Sequence, residues 1–401
     1  MPVSRTLAED LAANLADLYA DVERQLAAEV ARRLAAGMPA PTWAADKLAA
    51  LATLRRWAER LLQQLTGRQR DQIAQAIVLA YVRGGREALD ELARQQIPQL
   101  HRLALGNQVA GMARLSAVAE QHAAAIWAEA TAVRAALPGV DALQVLAFNL
   151  ASTLQGTHLP VLRWALDAYR TVVARAAAPV LLGTLTRRQA AQQAWEQLLG
   201  QGITGFVDSR GRRWNLASYV EMAVRTTTAH AAVQGHLDRL GQAGIDLVIV
   251  SDAPQECILC RPWEGKVLAR VGPPGARTVR LEHATRDGEL VDVHIAGSVA
   301  EAIAAGLMHP NCRHSLSIYL PGVTRIPHHT ADPEGDRARQ QLRYLERGVR
   351  AWKLRAAAAI DPAASDRARA KVRAWQARIR AHVATTGLRR HPEREQIGAA
   401  R

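Results

Sequence analysis

Leu7, Leu11, Leu15, Leu18, Val22, Leu26, Val30 and Leu34 recur every three or four positions, a spacing that lines one face of a helix and fits no strand. Gly37, Pro39 and Pro41 end that run. Similar spacing predicts helices over 42–65, 69–95, 97–137, 140–150, 159–176 and 186–199. Gly67, Gly84-Gly85, Pro98, Pro138-Gly139 and Pro179 punctuate them. Aromatic residues make up 4% of the 401 residues, with Phe only at Phe148 and Phe206. The core must therefore be built from Ala, Leu and Val, side chains that suit closely packed helices. Residues 1–200 are expected to form an all-α region.

Beyond Gly200 the texture changes. Asp208-Ser-Arg-Gly211 reads as a turn between two short strands, and a helix is expected over 216–240. The apolar run Asp246-Leu-Val-Ile-Val250 predicts a strand, with further strands over 266–270, 278–281, 290–295 and 315–320. A short helix over 299–307 interrupts them, and the Gly/Pro-rich stretch 271–276 is expected to be irregular. Residues 201–322 thus read as a small α+β domain. Residues 323–401 read as a linker and a basic hairpin of two helices, 333–360 and 364–386, parted by Asp361-Pro362. The fold class is mainly α, with a long helical N-terminal region, a small α+β domain and a basic C-terminal helical hairpin.

The chain carries 51 Lys and Arg against 37 Asp and Glu, a net charge of +14. From Ala331 onward there are 17 basic and 8 acidic residues, so the tail holds most of the excess. Leu342, Leu345, Val349 and Trp352 form one apolar stripe there, and Val372, Trp375, Ile379 and Val383 another. The tail is therefore amphipathic, and two readings stay open. Either it docks on a surface with its cations solvated, or Arg343, Arg347, Arg350, Lys353, Arg373, Arg378 and Arg380 meet phosphates or an acidic partner. No apolar run approaches the ~18–20 residues that span a bilayer, and the N-terminus does not read as a secretory signal. A soluble, reducing compartment is expected, with no membrane partner.

One constellation carries chemistry. The three cysteines fall in the α+β region, in two knuckle-like pairs: Cys257-Ile-Leu-Cys260 after the first strand, and His309-Pro-Asn-Cys312 before the last. Two donors around two spacers can bend toward one ion, and Cys₃His is a closed tetrahedral set for Zn²⁺. The expected ligands are Cys257, Cys260, His309 and Cys312, with a structural role because no coordination position stays open. Inert buried thiols and a redox pair are the alternatives. Around the pairs, Trp263 is expected to anchor the first turn in the core, and Arg313 to bond nearby carbonyls or a partner carboxylate. His314 is expected on the solvent side of a strand, with substitution as a ligand or a supporting bond at the metal as its other readings. Asp252, Glu256 and Glu264 are expected to be solvated. No phosphate-cradling loop, nucleophile elbow or telling carboxylate pair is present, so no enzyme activity is expected.

The runs from Cys257 to Val267 and from His309 to Ser315, above all His309-Pro-Asn-Cys-Arg313, resemble those of tailed-phage minor capsid proteins. The similarity is to the phage minor capsid protein 2 group and the related Mu-F-like head morphogenesis domain, and it covers about 200–322. It implies a virion component made in the host cytoplasm and placed at the portal vertex or capsid interior. Its implied partners are the portal protein, the major capsid protein and packaged DNA, with a role in head assembly and DNA packaging or retention. Two other functions are alternatives. A metal-dependent hydrolase of head maturation would need an open metal position and His314, Glu264 or Asp252 as base. A sequence-independent DNA-binding module is favoured by charge alone.

Overall fold

The computed structural model describes residues 5–95, 140–181, 184–201, 216–253, 258–310, 312, 314–326 and 332–397. The helix expected over 97–137 and the turn at Asp208 lie outside these residues. The helices are α1 (Arg5–Ala35), α2 (Trp43–Ala49), α3 (Leu51–Arg94), α4 (Val140–Gln155), α5 (His158–Leu181), α6 (Arg187–Gln201) and α7 (Leu216–Gln242). They are followed by strands β1 (Leu247–Val250), β2 (Val267–Ala269), β3 (Arg277–Glu282) and β4 (Leu290–Ser298). Helix α8 (Val299–Ala304), strand β5 (Leu316–Ile318) and helices α9 (Pro333–Ala357) and α10 (Pro362–Thr386) complete the order. Among the described residues, no helix is long and apolar enough to cross a membrane.

Two compact units are each assembled from three stretches of chain. The first takes Met1–Ala13, Asp71–Leu150 and Met222–Asp336, and the second Asn14–Arg70, Ala151–Glu221 and Arg337–Arg401.

In the first unit the strands form one sheet in the order β3-β4-β2-β1-β5. β2 and β4 run parallel and the other neighbours antiparallel. Val248, Val250, Leu268, Leu316 and Ile318 pack on Ala88, Leu89 and Leu92 of α3 and on Val233, Leu237 and Leu240 of α7. Leu247, Val267, Ala269, Val293 and Ile295 form a second, smaller cluster. All four residues of β1 are buried, which explains why this segment reads as an unbroken apolar run. The carboxylate of Glu91 on α3 accepts the Ile318 amide at 3.0 Å and pairs with buried His236 at 3.0 Å, tying helix to strand. The loop 271–276 is irregular as expected, and is held where the Gly275 amide donates to Glu301 at 2.9 Å. Glu301 also closes a capping box with Ser298 at the start of α8, giving the short helix a firm beginning.

Helix α3 overturns one expectation. Gly67 and Gly84-Gly85 do not end helices here, because the helix runs unbroken from Leu51 to Arg94. An interior Gly costs about 1 kcal/mol relative to Ala, less than the burial of Leu54, Leu65, Ile73, Ile77 and Leu92 along the helix returns. Gly84 has a positive reason to be there. It touches the backbone of Ala232 on α7, while Gly235 touches that of Tyr81 on α3, so the two helices cross backbone to backbone.

The second unit is helical. Ala27, Val30 and Leu34 of α1, Trp43 of α2, Leu54 of α3, Tyr169, Val172 and Val173 of α5, and Ala191 and Trp195 of α6 share its core. The basic hairpin belongs to this unit. Leu342, Leu345, Val349 and Ile379 are buried between α9 and α10, with Val372, Trp375 and Val383 beside them. The turn after α9 docks on α6: Trp195 Nε1 donates to Ala358 O at 2.7 Å, and Gln192 Oε1 accepts the amides of Ile360 and Asp361. Apart from Trp352, which lies under the Arg355 guanidinium at 4.3 Å, both apolar stripes read from the tail thus pack within the chain.

A buried polar chain also runs through this unit. Gln69 Nε2 donates to Ala151 O, which turns its Oε1 toward Tyr19, and the Tyr19 hydroxyl donates to that oxygen at 2.5 Å. Burial pushes the Tyr19 phenol far up, so it keeps its proton. His158 Nε2 sits 3.0 Å from the same hydroxyl and must be the donor to it, since the phenolic hydrogen is already spent on Gln69. Burial lowers the His158 pKa from 6.5 to about 4. Between those values the unfolded chain holds a proton that the folded chain refuses, so stability falls as pH falls. At ~1.4 kcal/mol per pKa unit, about 3 kcal/mol is expected to be lost between pH 6.5 and 4. Denaturant titrations across that range should show the slope, and His158→Gln should flatten it. A variant as acid-sensitive as the parent would contradict this assignment.

Candidate metal centre

The centre is assembled where two ends of the sheet meet. β1 ends at Val250, and a single helical turn, Arg261–Trp263, leads the chain back into β2. Cys260 caps that turn, its carbonyl accepting the Trp263 amide at 2.9 Å, and Gly265 N donates to Val250 O. From the other side, Cys312 N donates to His309 O at 2.8 Å, closing a tight turn just before β5. Ser251 and Ser315 knit the two approaches together: Ser251 N donates to Ser315 O at 2.9 Å, and Ser315 N to Ser251 Oγ at 3.0 Å. Met308 enters the second turn with φ +58, a left-handed conformation that costs a non-Gly residue energy. His230 of α7 helps hold it, donating from Nε2 to Met308 O at 2.9 Å.

These turns bring Cys260, His309 and Cys312 together, with one donor atom from each lying within 4.8 Å of the others. Cys260 Sγ and Cys312 Sγ are 3.5 Å apart. His309 Nδ1 lies 2.7 Å from Pro310 O. A carbonyl can only accept, so Nδ1 carries the proton and Nε2 keeps the lone pair. Cysteine sulfur and imidazole nitrogen are the donor types of borderline-soft divalent metals, so the residues present fit such an ion. Cys257, expected as a fourth ligand, lies outside the described residues, as do Glu256 and Arg313.

The surroundings favour thiolate. Hydrogen bonds from Cys260 and then His314 hold the Cys312 thiol down to about 4, against the upward push of burial. A thiol held ionised needs no further proton loss to take up a metal. For His314, burial pushes the pKa down, yet hydrogen bonds to Cys312 and Glu264 outweigh it and the net shift is upward.

Two expectations are corrected here. His314 does not face solvent: it is buried, with Nδ1 at 3.4 Å from Cys312 Sγ and Nε2 at 2.5 Å from Glu264 Oε1. Glu264 is not solvated either. It is 2% exposed, and its Oε1 also accepts the Ala253 amide at 3.1 Å. The reason is tertiary, since residues fifty positions apart close on each other only when β5 pairs with β1. The one local signal is the alternation of Cys312, His314 and Leu316, which puts all three on one face if the strand pattern extends backward. Trp263 packs, half-buried, against the core below the centre.

The cations singled out in the tail divide into two groups. Arg343 pairs with Glu346 at 3.5 Å, Arg350 donates to Arg394 O at 2.6 Å, and Lys353 to Gln396 Oε1 at 2.6 Å. These three hold the hairpin and the segment after it. Arg347, Arg373, Arg378 and Arg380 are exposed, Arg378 lying over the Trp375 ring at 4.6 Å. Along α10, Arg367, Arg369 and Lys371 are exposed as well, and Asp366 is the helix's one acidic side chain. The outward face of α10 is strongly positive.

Comparison with known proteins places this architecture. The family model described as phage minor capsid protein 2 matches residues 6–384. A curated relative, the "Structural protein" of Lactococcus phage LL-H, is 26% identical over 262 residues, which are 63% of this chain and 66% of the relative. The chain thus spans just under two thirds of the length of that relative. No solved structure matches the chain.

Proposed function

Because this chain belongs to the phage minor capsid protein 2 family, we propose that it is a structural virion component of the portal vertex, non-catalytic and stapled by a metal ion. The match over residues 6–384 supports the capsid part of this reading. The family supplies the capsid role, and the molecule supplies features that suit the finer placement. The convergence of Cys260, His309 and Cys312 supports Zn²⁺ as a structural ion: it would fasten the turn after β1 to the turn before β5. A fourth protein donor, the role the spacing assigns to Cys257, would leave no position for water or substrate, as a scaffold requires and a hydrolase does not.

The positive face of α10 supports contact with packaged DNA. Phosphates neutralised by surface Arg and Lys give sequence-independent binding, as a protein that meets whatever DNA is packaged requires. The hairpin is braced from within by its own apolar core, so these cations sit on an ordered support.

The placement is tested on virions. After gentle disruption and fractionation, the chain is expected with the portal-bearing vertex, in few copies, and to remain with the DNA end at low salt. Recovery spread evenly with the major capsid shell would overturn the portal assignment.

A further inference from the structure

We infer that α10 lies lengthwise in the major groove of duplex DNA, with a row of cations on each flank meeting one of the two phosphate backbones. This rests on the DNA contact proposed above and goes beyond it by assigning the groove and the way the helix sits in it. At about 3.6 residues per turn, Arg367, Lys371 and Arg378 fall on one flank of α10, and Arg369, Arg373 and Arg380 on the other. Both rows repeat the same spacing, i, i+4 and i+11, two residues out of step. Between them on one side lie Val372, Trp375, Ile379 and Val383, which pack against α9. Between them on the opposite side lie Ala370, Ala374, Ala377 and Ala381, all exposed.

The six cations are exposed, and among the described residues none is held in an ion pair. Two rows of positive charge match two rows of negative charge. Duplex DNA supplies them, since phosphates line both edges of each groove with one charge every ~3.4 Å along each strand. From Arg367 to Arg380 the helix rises about 20 Å, so each row runs beside roughly six phosphates. The duplex has this double row everywhere along its length, whereas a protein partner would have to carry it in its own side chains. The support is firm: Trp375 packs against Gly348 of α9, where a Cβ would collide with its ring, and Arg378 lies over that ring at 4.6 Å.

Width selects the groove. A helix with its side chains is about 10–12 Å across, the major groove is about 12 Å wide and the minor groove about 6 Å. The outward ridge carries only methyl groups, so it can approach the groove floor while the Arg and Lys side chains reach sideways. Alanine offers the base edges no side-chain donor or acceptor and cannot read their hydrogen-bond code. The seat is therefore indifferent to sequence.

The test uses the full-length chain on a mixed-sequence duplex treated with dimethyl sulfate, which methylates guanine N7 in the major groove and adenine N3 in the minor groove. The chain is expected to protect guanine N7 and leave adenine N3 reactive. Protection of adenine N3 alone, or of neither, would overturn the groove assignment. Ala374→Leu combined with Ala377→Leu thickens the ridge at exposed positions without changing charge, and Leu is a good helix former. Affinity is expected to fall about tenfold or more, as the cations are lifted from some of the phosphates, with helical circular dichroism unchanged. Equal affinity would show that the helix meets the phosphates from outside the groove. With six phosphates neutralised, log K against log salt should slope by about −5, and replacing either row by Ala should reduce that by nearly 3. A slope that only one row alters would overturn the two-row seat. Absence of salt-sensitive DNA binding, or binding that survives loss of both rows, would instead overturn the DNA contact itself. If nuclease-treated virion protein then retained the chain through these same cations, the face would belong to an acidic protein surface.

Discussion

Alanine at Gly84 or at Gly235 is expected to destabilise the unit that carries the sheet by about 3 kcal/mol, the upper end for overpacking a core. A Cβ on Gly84 would lie no farther than 2.9 Å from the O, C and Cα of Ala232, and one on Gly235 no farther than 3.1 Å from those of Tyr81. These are backbone atoms of a facing helix, so no rotamer change can clear them. Helices α3 and α7 would have to separate, loosening Ala88, Leu89 and Leu92 from Val233 and Leu237. Intrinsic propensity acts the other way, because Ala gains roughly 1 kcal/mol over Gly inside a helix. Gly67 supplies the internal control. It sits in the same helix, where an added Cβ would meet nothing within 4 Å, and Gly67→Ala is expected to stabilise by up to about 1 kcal/mol. The sign should therefore reverse within one helix. Because one separation would relieve both clashes, the double variant should cost less than the two single variants together. Denaturant midpoints for the four proteins check this. A neutral Gly84→Ala would mean that the helices do not cross in contact.

The same glycines show where sequence reading stops. Every strand of the sheet is legible from apolar runs bounded by turn residues, as is the break at Asp361-Pro362 between the last two helices. These are local signals, fixed by side-chain period and by what Gly and Pro permit. Gly84 reads as punctuation because, taken alone, a glycine in a helical pattern signals a stop. Its actual reason is Ala232, nearly 150 residues away. Glu264 reads as solvated because acidic loop residues usually are, and only the pairing of β1 with β5 puts it beside His314. His158 is similar: its environment depends on Tyr19 and Gln69 from two other helices. The knuckle residues lie between these cases. Their spacing declares that each pair can bend toward an ion, and the resemblance points to the family. Neither can say which histidine faces the sulfurs.

Removing the ion is expected to have the largest effect of all. Structural zinc in small domains is worth on the order of 10 kcal/mol of folding free energy, and even a free-ion level a thousandfold above Kd contributes about 4 kcal/mol by mass action. For a unit of roughly two hundred residues, each kcal/mol corresponds to about 2–4 °C in Tm. Chelation of the zinc-loaded chain should therefore lower the transition that melts the sheet by about 10 °C or more. The thiols give an independent reading. Cys260 is 1% exposed, so it should resist a thiol reagent while the ion holds the two turns and react once the chelator has freed them. The effect should be local in origin, because the centre joins the turn after β1 to the turn before β5, and these strands pair directly through Val248 with Ile318 and Val250 with Leu316. Loss of the staple would free the edge strand first, and with it the amide that Glu91 holds from α3. Restoring Zn²⁺, but not Mg²⁺, should restore the transition, since thiolate and imidazole donors suit the former and not a hard oxygen-seeking cation. If the Tm were indifferent to chelation and the thiols reacted equally fast with and without zinc, the two turns would be held by the sheet alone and the staple would have no structural role.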